Sequence, residues 1–381
     1  MDFSFTEEQS MLRDTVASYL ADNYDFDKRR AALKSAPHWR PDVWKAFAEE
    51  LGILGAPFSE ELGGLGGGYT ENMVVMEELG KSLVVEPYLQ TVVIGGGFLK
   101  HSGYAGASDV IGKIIAGDAI LAFAYAEPQA RYTWQDLKTT AKKDGSGYVI
   151  NGHKAVVIGA PYATHLIVTA RTGGGQRDAQ GVSVFLVEKG AKGVTTRDYP
   201  TVDGFLASEV YFENVSVGAD ALIGAEGQSL ALVEKVLDEA VAATCAEACG
   251  VLRKLHEGTL EYTKQRKQFG VPISSFQVLQ HRMVDMFIQL EQSISMTYMA
   301  TIKLNETDVE RAKAVSAAKV QIGKACKFVG QNAIQLHGGM GMTDEMAIGH
   351  YFKRATMIEG AFGSTDHHLA RYEGLSLGAA A

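Results

Sequence analysis

Beyond Gly227 the chain carries three helical-period segments of unusual length, and they limit the fold more than any other feature. One runs from about Leu230 to Lys264. A second is predicted to start at a Ser274/Gln277 capping box and carries Met283, Met286, Phe287, Leu290, Ile294 and Tyr298. The third, rich in alanine, covers about Asp308 to Leu336. Helices of roughly 30 residues are more than twice the usual length. With apolar stripes they belong in a bundle, often one that also forms a subunit interface.

The remainder of the 381 residues reads in two other regimes. At the N-terminal end, Thr6 with Gln9 makes a capping box, followed at helical spacing by Met11, Leu12, Val16, Tyr19 and Leu20. Pro41 suits a first helical position, Val43, Phe47 and Leu51 form one stripe, and Gly52 can end that helix. A third helix is predicted from near Thr70, with Met73, Met76, Leu79 and Leu83. Between the second and third lies Glu60–Gly68, whose glycines favour a loop that other backbone or a ligand can approach closely. From about residue 120 the period changes to strands. Tyr148-Val149-Ile150 and Ala155–Ile158 flank Asn151-Gly152, a strong turn dipeptide. Leu166–Thr169, Val182–Val187 and Val210–Phe212 are further strands, and Thr172–Gln180 reads as an exposed hairpin loop. With no helix-length pattern between them, these strands predict a small antiparallel β domain. The expected division is an N-terminal helical domain over 1–120, a β domain over 121–228 and a helical bundle over 229–381.

Charge and composition narrow the function. A net charge of −9, a pI near 5.6 and no cluster of Lys and Arg weigh against nucleic acid as a partner. No apolar run reaches the roughly 18 residues of a membrane span. The acidic start, Glu7-Glu8 among it, lacks a signal-peptide pattern, so a soluble, cytoplasmic protein is expected. Three cysteines make no disulfide framework, and Cys245 and Cys249 read as reduced, buried small residues. His367-His368 point about 100° apart on a helix, too divergent to converge on a metal. There is no P-loop, no dinucleotide-binding glycine fingerprint and no Gly-x-Ser-x-Gly. Two features stand out. Arg266, at the end of a long helix, can complement the helix dipole or reach a phosphate. The run Gln335-Leu336-His337-Gly338-Gly339-Met340-Gly341 can be a helix cap or a backbone surface open to a flat or phosphorylated ligand.

Taken in order, the motifs resemble the acyl-CoA dehydrogenase flavoprotein family over nearly the whole chain. Phe5-Thr6-Glu7-Glu8-Gln9 looks like its first helix, and Leu54–Gly66 like its glycine-rich helix-linking segment. Glu127-Pro128 is similar to the start of its middle domain, and Asn151-Gly152-His153-Lys154 to its Asn-Gly-x-Lys hairpin. Arg266-x-x-Phe269-Gly270, Phe276-Gln277 and Gln335-x-x-Gly338-Gly339-x-Gly341 follow at the family's distances. The resemblance is nearest to the small-subunit family of pimeloyl-CoA dehydrogenase, thought to work as two-component α2β2 enzymes. It implies an N-terminal helical domain, a middle antiparallel β-barrel and a C-terminal four-helix bundle, usually in a tetramer. It also implies FAD as cofactor, an acyl-CoA substrate, and an electron-transfer flavoprotein as acceptor. Arg266 and Phe269 would bind the FAD diphosphate and adenine portion held by a neighbouring subunit, with Gln335, Gly338 and Gly339 lining the same site and Gln277 close by. Ser364 and Asp366, in the segment matching the family's Gly-Thr-Ser-Glu, complete the expected cofactor set.

The departures shape the functional reading. Ungapped alignment from Lys353-Arg354-Ala355 puts Phe362 where the family carries its catalytic glutamate; Glu359 lies three residues off. The alternative base position, on the first long helix of the bundle, holds Ala240, with Glu239 beside it. Neither position holds a carboxylate, and no catalytic residue is assigned. The family's Trp-x-Thr over the flavin ring is replaced by Val156-Val157-Ile158, and its Thr-Glu-Pro by Ala126-Glu127-Pro128. The expectation is a β-type subunit that completes the FAD site of a related catalytic partner. The alternatives are a self-sufficient dehydrogenase using Glu359, Glu239 or another acid, and a related flavin monooxygenase needing no base.

Overall fold

The Thr6 hydroxyl accepts from Gln9 N–H at 3.2 Å and Thr6 N–H donates back to Gln9 Oε1 at 3.1 Å, so the expected capping box opens the first helix. In chain order the helices are α1 (Glu7–Asn23), α2 (Phe26–Lys34), α3 (Pro41–Glu49), α4 (Tyr69–Ser82), α5 (Gly96–His101) and α6 (Ala107–Ile115). After the strands come α7 (Leu230–Gln265), α8 (Gln277–Lys303), α9 (Asp308–His337), α10 (Ala347–Gly360) and α11 (Thr365–Gly378). This computed structural model describes residues 5–378. They group into two units. One holds the described residues up to Ala36, Tyr69–Val84 and everything from Val241; the other holds Pro37–Gly68 and Val85–Ala240.

The helical unit has one apolar core, to which α7, α8, α9 and α10 contribute Leu252, Leu290, Ile322 and Ile358 among others. Two glycines set its tightest crossing. A Cβ on Gly80 of α4 would lie 2.2 Å from the Glu247 carbonyl oxygen, and one on Gly250 of α7 would lie 2.1 Å from that of Glu77. Nothing larger than hydrogen fits at either point. The predicted start of α8 needs correction. Ser274 lies in a short 3-10 turn, Ile273–Ser275, and the cap is Phe276 without a side-chain hydrogen bond, so no Ser274/Gln277 box forms. Helix α2 escapes a periodicity reading because its anchor is a cation: Arg29 is 1% exposed and its Nε donates to Leu83 O at 2.6 Å.

The second unit is built on one eight-stranded sheet. Its strands are β1 (Leu121–Ala124), β2 (Thr140–Asp144), β3 (Gly147–Ile158), β4 (His165–Arg171), β5 (Val182–Glu188), β6 (Val194–Pro200), β7 (Leu206–Val217) and β8 (Leu222–Ile223). The order is β6-β7-β3-β2-β4-β5-β8, with β1 on β4. Most ladders are antiparallel, but β1 runs parallel to β4. The Asn151-Gly152 turn is a second correction. β3 passes straight through it with a register shift against β7, and the hairpin turn lies earlier, at Gly145-Ser146, where Asp144 pairs with Gly147. Gly152 is needed because a Cβ there would lie 2.3 Å from Thr139 Oγ1. Thr172–Gln180 does join β4 to β5 as an exposed loop, shaped by the Arg171 guanidinium donating to four carbonyls, those of Gln135, Gln176, Asp178 and Gln180. The Glu60–Gly68 glycines serve backbone: Gly64 lies against Phe58, and Leu65, Gly66 and Gly67 donate to Gly55, Phe58 and Ala56. Among the described residues no helix is long and apolar enough to cross a membrane.

The glycine crossing gives a stability test. In a free helix Gly→Ala gains ~1 kcal/mol; here Gly80→Ala or Gly250→Ala should instead lose ~1–3 kcal/mol by overpacking. Urea denaturation of each variant measures the sign. A gain would mean that α4 and α7 can part at no cost.

Candidate functional site

In the helical unit, α7 ends at Gln265 and Arg266 follows with an exposed side chain that has no hydrogen bond or ion pair among the described residues. A two-residue hairpin comes next: Lys267–Gln268 (β9) pairs with Val271–Pro272 (β10) around Phe269-Gly270. Both turn residues have positive φ, +54° and +83°, as a type I′ turn demands. For Phe this left-handed backbone costs ~1–2 kcal/mol. Its ring gains little burial in return, being 92% exposed with an edge contact to Phe276, 6.1 Å between centroids. A strained, exposed aromatic residue is a mark of function rather than folding.

The glycine run is held beside this hairpin. Tyr262, one turn before Arg266, stacks on His337 at 4.2 Å, and its hydroxyl donates to the His337 carbonyl at 3.3 Å. His337 Nδ1 donates to Ala333 O, and burial pushes the imidazole below its ordinary pKa, so it stays a neutral ring. This stack ties the ends of α7 and α9 together. Gln335, Gly338 and Gly339 are exposed, and a Cβ on either glycine would meet nothing within 4 Å. Gln277 is exposed at the first position of α8. One free guanidinium, open backbone and an exposed aromatic ring are the donors and surface that a diphosphate joined to an aromatic base requires.

The loop between α10 and α11 carries Phe362, the residue that the sequence alignment sets against the family's base position. Phe362 sits there with φ +54°, followed by Gly363 at +122°. Three buried groups shape it. Lys319, 0% exposed on α9, donates through Nζ to the carbonyls of Glu359 (2.7 Å) and Gly363 (2.8 Å), and its pKa is lowered by burial. His368 Nε2 donates to Phe362 O at 3.1 Å, and Ser316 Oγ lies 3.3 Å from Nδ1. The Glu359 carboxylate accepts from both Thr365 N–H and Thr365 Oγ1 at 2.9 Å, capping α11. Ser364 caps the same helix by accepting from His367 N–H, and Asp366 lies exposed in its first turn. Glu359 is thus already engaged as a cap.

In the sheet unit, Glu127 and Lys154 form a buried pair at 2.8 Å. The Glu127 carboxylate also accepts from Lys138 N–H, Thr139 N–H and Gln129 Nε2. Burial alone would raise its pKa, but the Lys154 charge and the hydrogen bonds outweigh this and hold it below the ordinary value. Burial brings Lys154 down to about 8, still a cation at neutral pH. Val156 lies in the register shift between Lys154 and Val157, at φ +52° and 49% exposed, an outlier for a β-branched residue. Half-buried Ile158 brings no polar atom. Ala240 is buried, and Glu239 is 2% exposed between His101 Nε2 (2.6 Å) and Lys100 Nζ (3.3 Å).

The chain matches three family models in succession: acyl-CoA dehydrogenase N-terminal domain over residues 6–132, middle domain over 122–215 and C-terminal domain over 227–372. It belongs to the acyl-CoA dehydrogenase family. Among its relatives is a probable acyl-CoA dehydrogenase, YngJ of Bacillus subtilis, 29% identical with 96% of this chain and 97% of the relative covered. The solved FAD complex of PigA has 26% identity, a TM-score of 0.91 and full coverage of both chains. The ChsE4-ChsE5 complex from Mycobacterium tuberculosis has 26% identity, a TM-score of 0.89 and 99% coverage of each chain. FAD is the cofactor of this fold.

Within this acyl-CoA dehydrogenase chain the structure brings Arg266, Phe269, Gln335, Gly338 and Gly339 to one end of the bundle. Ser364, just before α11, and Asp366, in its first turn, belong to a separate element. The sequence analysis names His337 only within the glycine run, and it gives no role to Tyr262 or Lys319. The stack could have been suspected from two aromatic residues just inside the ends of predicted helices; the buried lysine gave no signal of its own. Two measurements follow. Lys154→Met strands the Glu127 carboxylate and should cost ~3–5 kcal/mol in urea denaturation, far more than loss of a surface pair. Burial also depresses His368 to about 3. The unfolded chain therefore binds a proton that the folded chain refuses as pH falls from 6.5 towards that value. Stability should fall over that window by ~1.4 kcal/mol per pH unit from this group. His368→Gln should flatten the slope by one proton, and an unchanged slope would place the titration elsewhere.

Proposed function

We propose that this chain is the β-type, non-catalytic subunit of a two-component FAD-dependent acyl-CoA dehydrogenase, a relative of the pimeloyl-CoA dehydrogenase small subunit. The observation that carries the reading is the state of the base positions. Phe362 and Ala240 cannot accept a proton, Glu359 is engaged as a helix cap, and Glu239 is buried between Lys100 and His101. The exposed end of the bundle points the other way, towards a chain still equipped to hold cofactor. Arg266 offers an unpaired guanidinium to a diphosphate, Gly338 and Gly339 leave backbone open, and Phe269 presents a ring for an adenine to pack on. Gln335 and Gln277 add amides at the rim, and Ser364 and Asp366 contribute from the start of α11. Bound FAD supplies the two-electron acceptor for α,β-desaturation of an acyl-CoA thioester.

On this reading the partner is a related subunit that retains the catalytic glutamate, in an α2β2 tetramer, with an electron-transfer flavoprotein as acceptor, in the cytoplasm. The similarity to the ChsE4-ChsE5 complex supports such a pairing. The exposed apolar side chains of α8, Val278, Val284, Phe287 and Ile288, support burial of that face in an assembly.

Anaerobic flavin bleaching with a panel of acyl-CoA thioesters tests the reading, on the chain alone and then co-purified with its genomic neighbour. The chain alone should be slower by about 10²–10⁴, the usual worth of a positioned base. Phe362→Glu should not rescue it, because Val156 and Ile158 leave the ring site poorly furnished. Rapid bleaching by the lone chain would defeat the assignment. In the assembled enzyme, Arg266→Ala should weaken FAD binding by ~1.5–3 kcal/mol, the scale of a charged hydrogen bond, with the fold intact.

A further inference from the structure

A glycine has no side chain with which to fix its own path, so the turn Gly338–Met342 takes its shape from its neighbours. Gly338 enters the turn at φ +60°. Gly341 closes it against His337: a Cβ there would lie 3.0 Å from His337 Cβ and 3.1 Å from Ile334 O. His337 is 4% exposed, and its Nδ1 donates to Ala333 O at 2.8 Å, which fixes the plane of the ring. The Tyr262 ring covers that plane, 4.2 Å away between centroids and 23° from parallel.

Tyr262 meets both halves of the exposed donor set. Its hydroxyl donates to the His337 carbonyl, the last before the glycines, at 3.3 Å. Its own carbonyl accepts from Arg266 N–H at 2.8 Å, and Arg266 O accepts from Ile273 N–H at 2.8 Å across the hairpin. The backbone that carries the guanidinium and the backbone that carries the open amides are thus both tied to one residue. Tyr262 is half-buried and stands outside the apolar core of the helical unit. Its contacts serve the exposed end of the bundle rather than the interior.

We infer that Tyr262 and His337 are positioning residues for the cofactor: their stack holds the Gly338-Gly339 backbone in register with the Arg266 guanidinium, so that one diphosphate can meet both. Neither residue has to touch the cofactor. The gain is preorganisation, since donors already fixed lose less freedom when the ligand arrives. Ring and hydroxyl have separate shares. The ring holds the turn through His337, and the hydroxyl adds one neutral hydrogen bond, so the ring carries the larger part. The inference rests on the reading of Arg266 and the glycine run as a cofactor contact and adds two residues that act through them.

The test is fluorescence titration of the apo form of the assembled enzyme with FAD, well below its melting temperature, with sedimentation to confirm assembly. The variants are Tyr262→Leu, Tyr262→Phe, His337→Ala and Arg266→Ala. Tyr262→Leu and His337→Ala should weaken FAD about tenfold or more, the scale of one misaligned charged hydrogen bond, with assembly retained. Tyr262→Phe keeps the ring and should stay within about threefold of wild type, the worth of a weak neutral hydrogen bond. A double-mutant cycle supplies the readout that a merely structural role would not move. Given a loss in Arg266→Ala, the double variant Tyr262→Leu/Arg266→Ala should lose less than the product of the two single losses, because the stack acts partly through the guanidinium. A full product, or no loss in Tyr262→Leu, overturns the inference and leaves the subunit reading standing. No loss in Arg266→Ala removes the guanidinium contact from that reading; a loss in Tyr262→Leu and His337→Ala then still supports the stack as the holder of the glycine backbone. An assembled wild type that binds no FAD overturns both.

Discussion

From Val236 to Leu252 every residue of α7 is buried, and the rest of the structure accommodates that one constraint. A helix covered on all faces can be built only from small side chains if its neighbours are to reach it, and this stretch is Val-Leu-Asp-Glu-Ala-Val-Ala-Ala-Thr-Cys-Ala-Glu-Ala-Cys-Gly-Val-Leu. Gly250 lets α4 cross at backbone distance. Cys245 and Cys249 act as small apolar groups, their thiols pushed up by burial, Cys245 to about 12. The carboxylates in the same stretch must be answered. Glu247 takes a two-pronged bond from Arg354 at 2.6 and 2.7 Å, and Glu239 takes His101 and Lys100. Each partner is thereby fixed in place, Arg354 on α10 and the His101 pair at the end of α5.

Buried cations do a related job at the proposed functional positions. Lys319 spends its ammonium on two backbone carbonyls, one on each side of Phe362, rather than on a carboxylate. Its hydrogen bonds therefore fix the path of the loop whatever side chain residue 362 carries. On the proposed reading, the scaffold of a base position and the base itself are separable, the lysine holding the loop and Phe362 carrying no proton acceptor. Lys154 works likewise in the sheet unit, where its pairing with Glu127 holds the segment before the Val156 bulge. The family fold by itself does not fix the chemistry at these positions, which is why function has to be argued from the site.

The two ends of the chain's chemistry are asymmetric. Arg266, Phe269 and the glycine run are exposed and unburdened, whereas Glu359 and Glu239 are engaged. Phe269 adds to this asymmetry, holding a left-handed backbone in the hairpin turn with its ring in the open.

The sequence alone determined what depends on short-range pattern. Long apolar periods placed α7 and α9 to within a residue or two, the Thr6/Gln9 pair marked the start of α1, and the ordered motifs identified the family. It misplaced the β2–β3 hairpin because Asn151-Gly152 suits both a turn and a bulge, and the choice lies with β7 and Thr139, which reject a Cβ at residue 152. It misplaced the start of α8 for a similar reason, since a Ser-x-x-Gln spacing does not reveal that Ser274 is already used in a 3-10 turn. Only the tertiary structure decided which carboxylates are free. Glu359 and Glu239 read identically in sequence as spare acids, and their engagement depends on Thr365, six residues on, and on Lys100 and His101, more than a hundred residues back. Burial and pairing across such separations are set by packing, and packing leaves no local pattern to read.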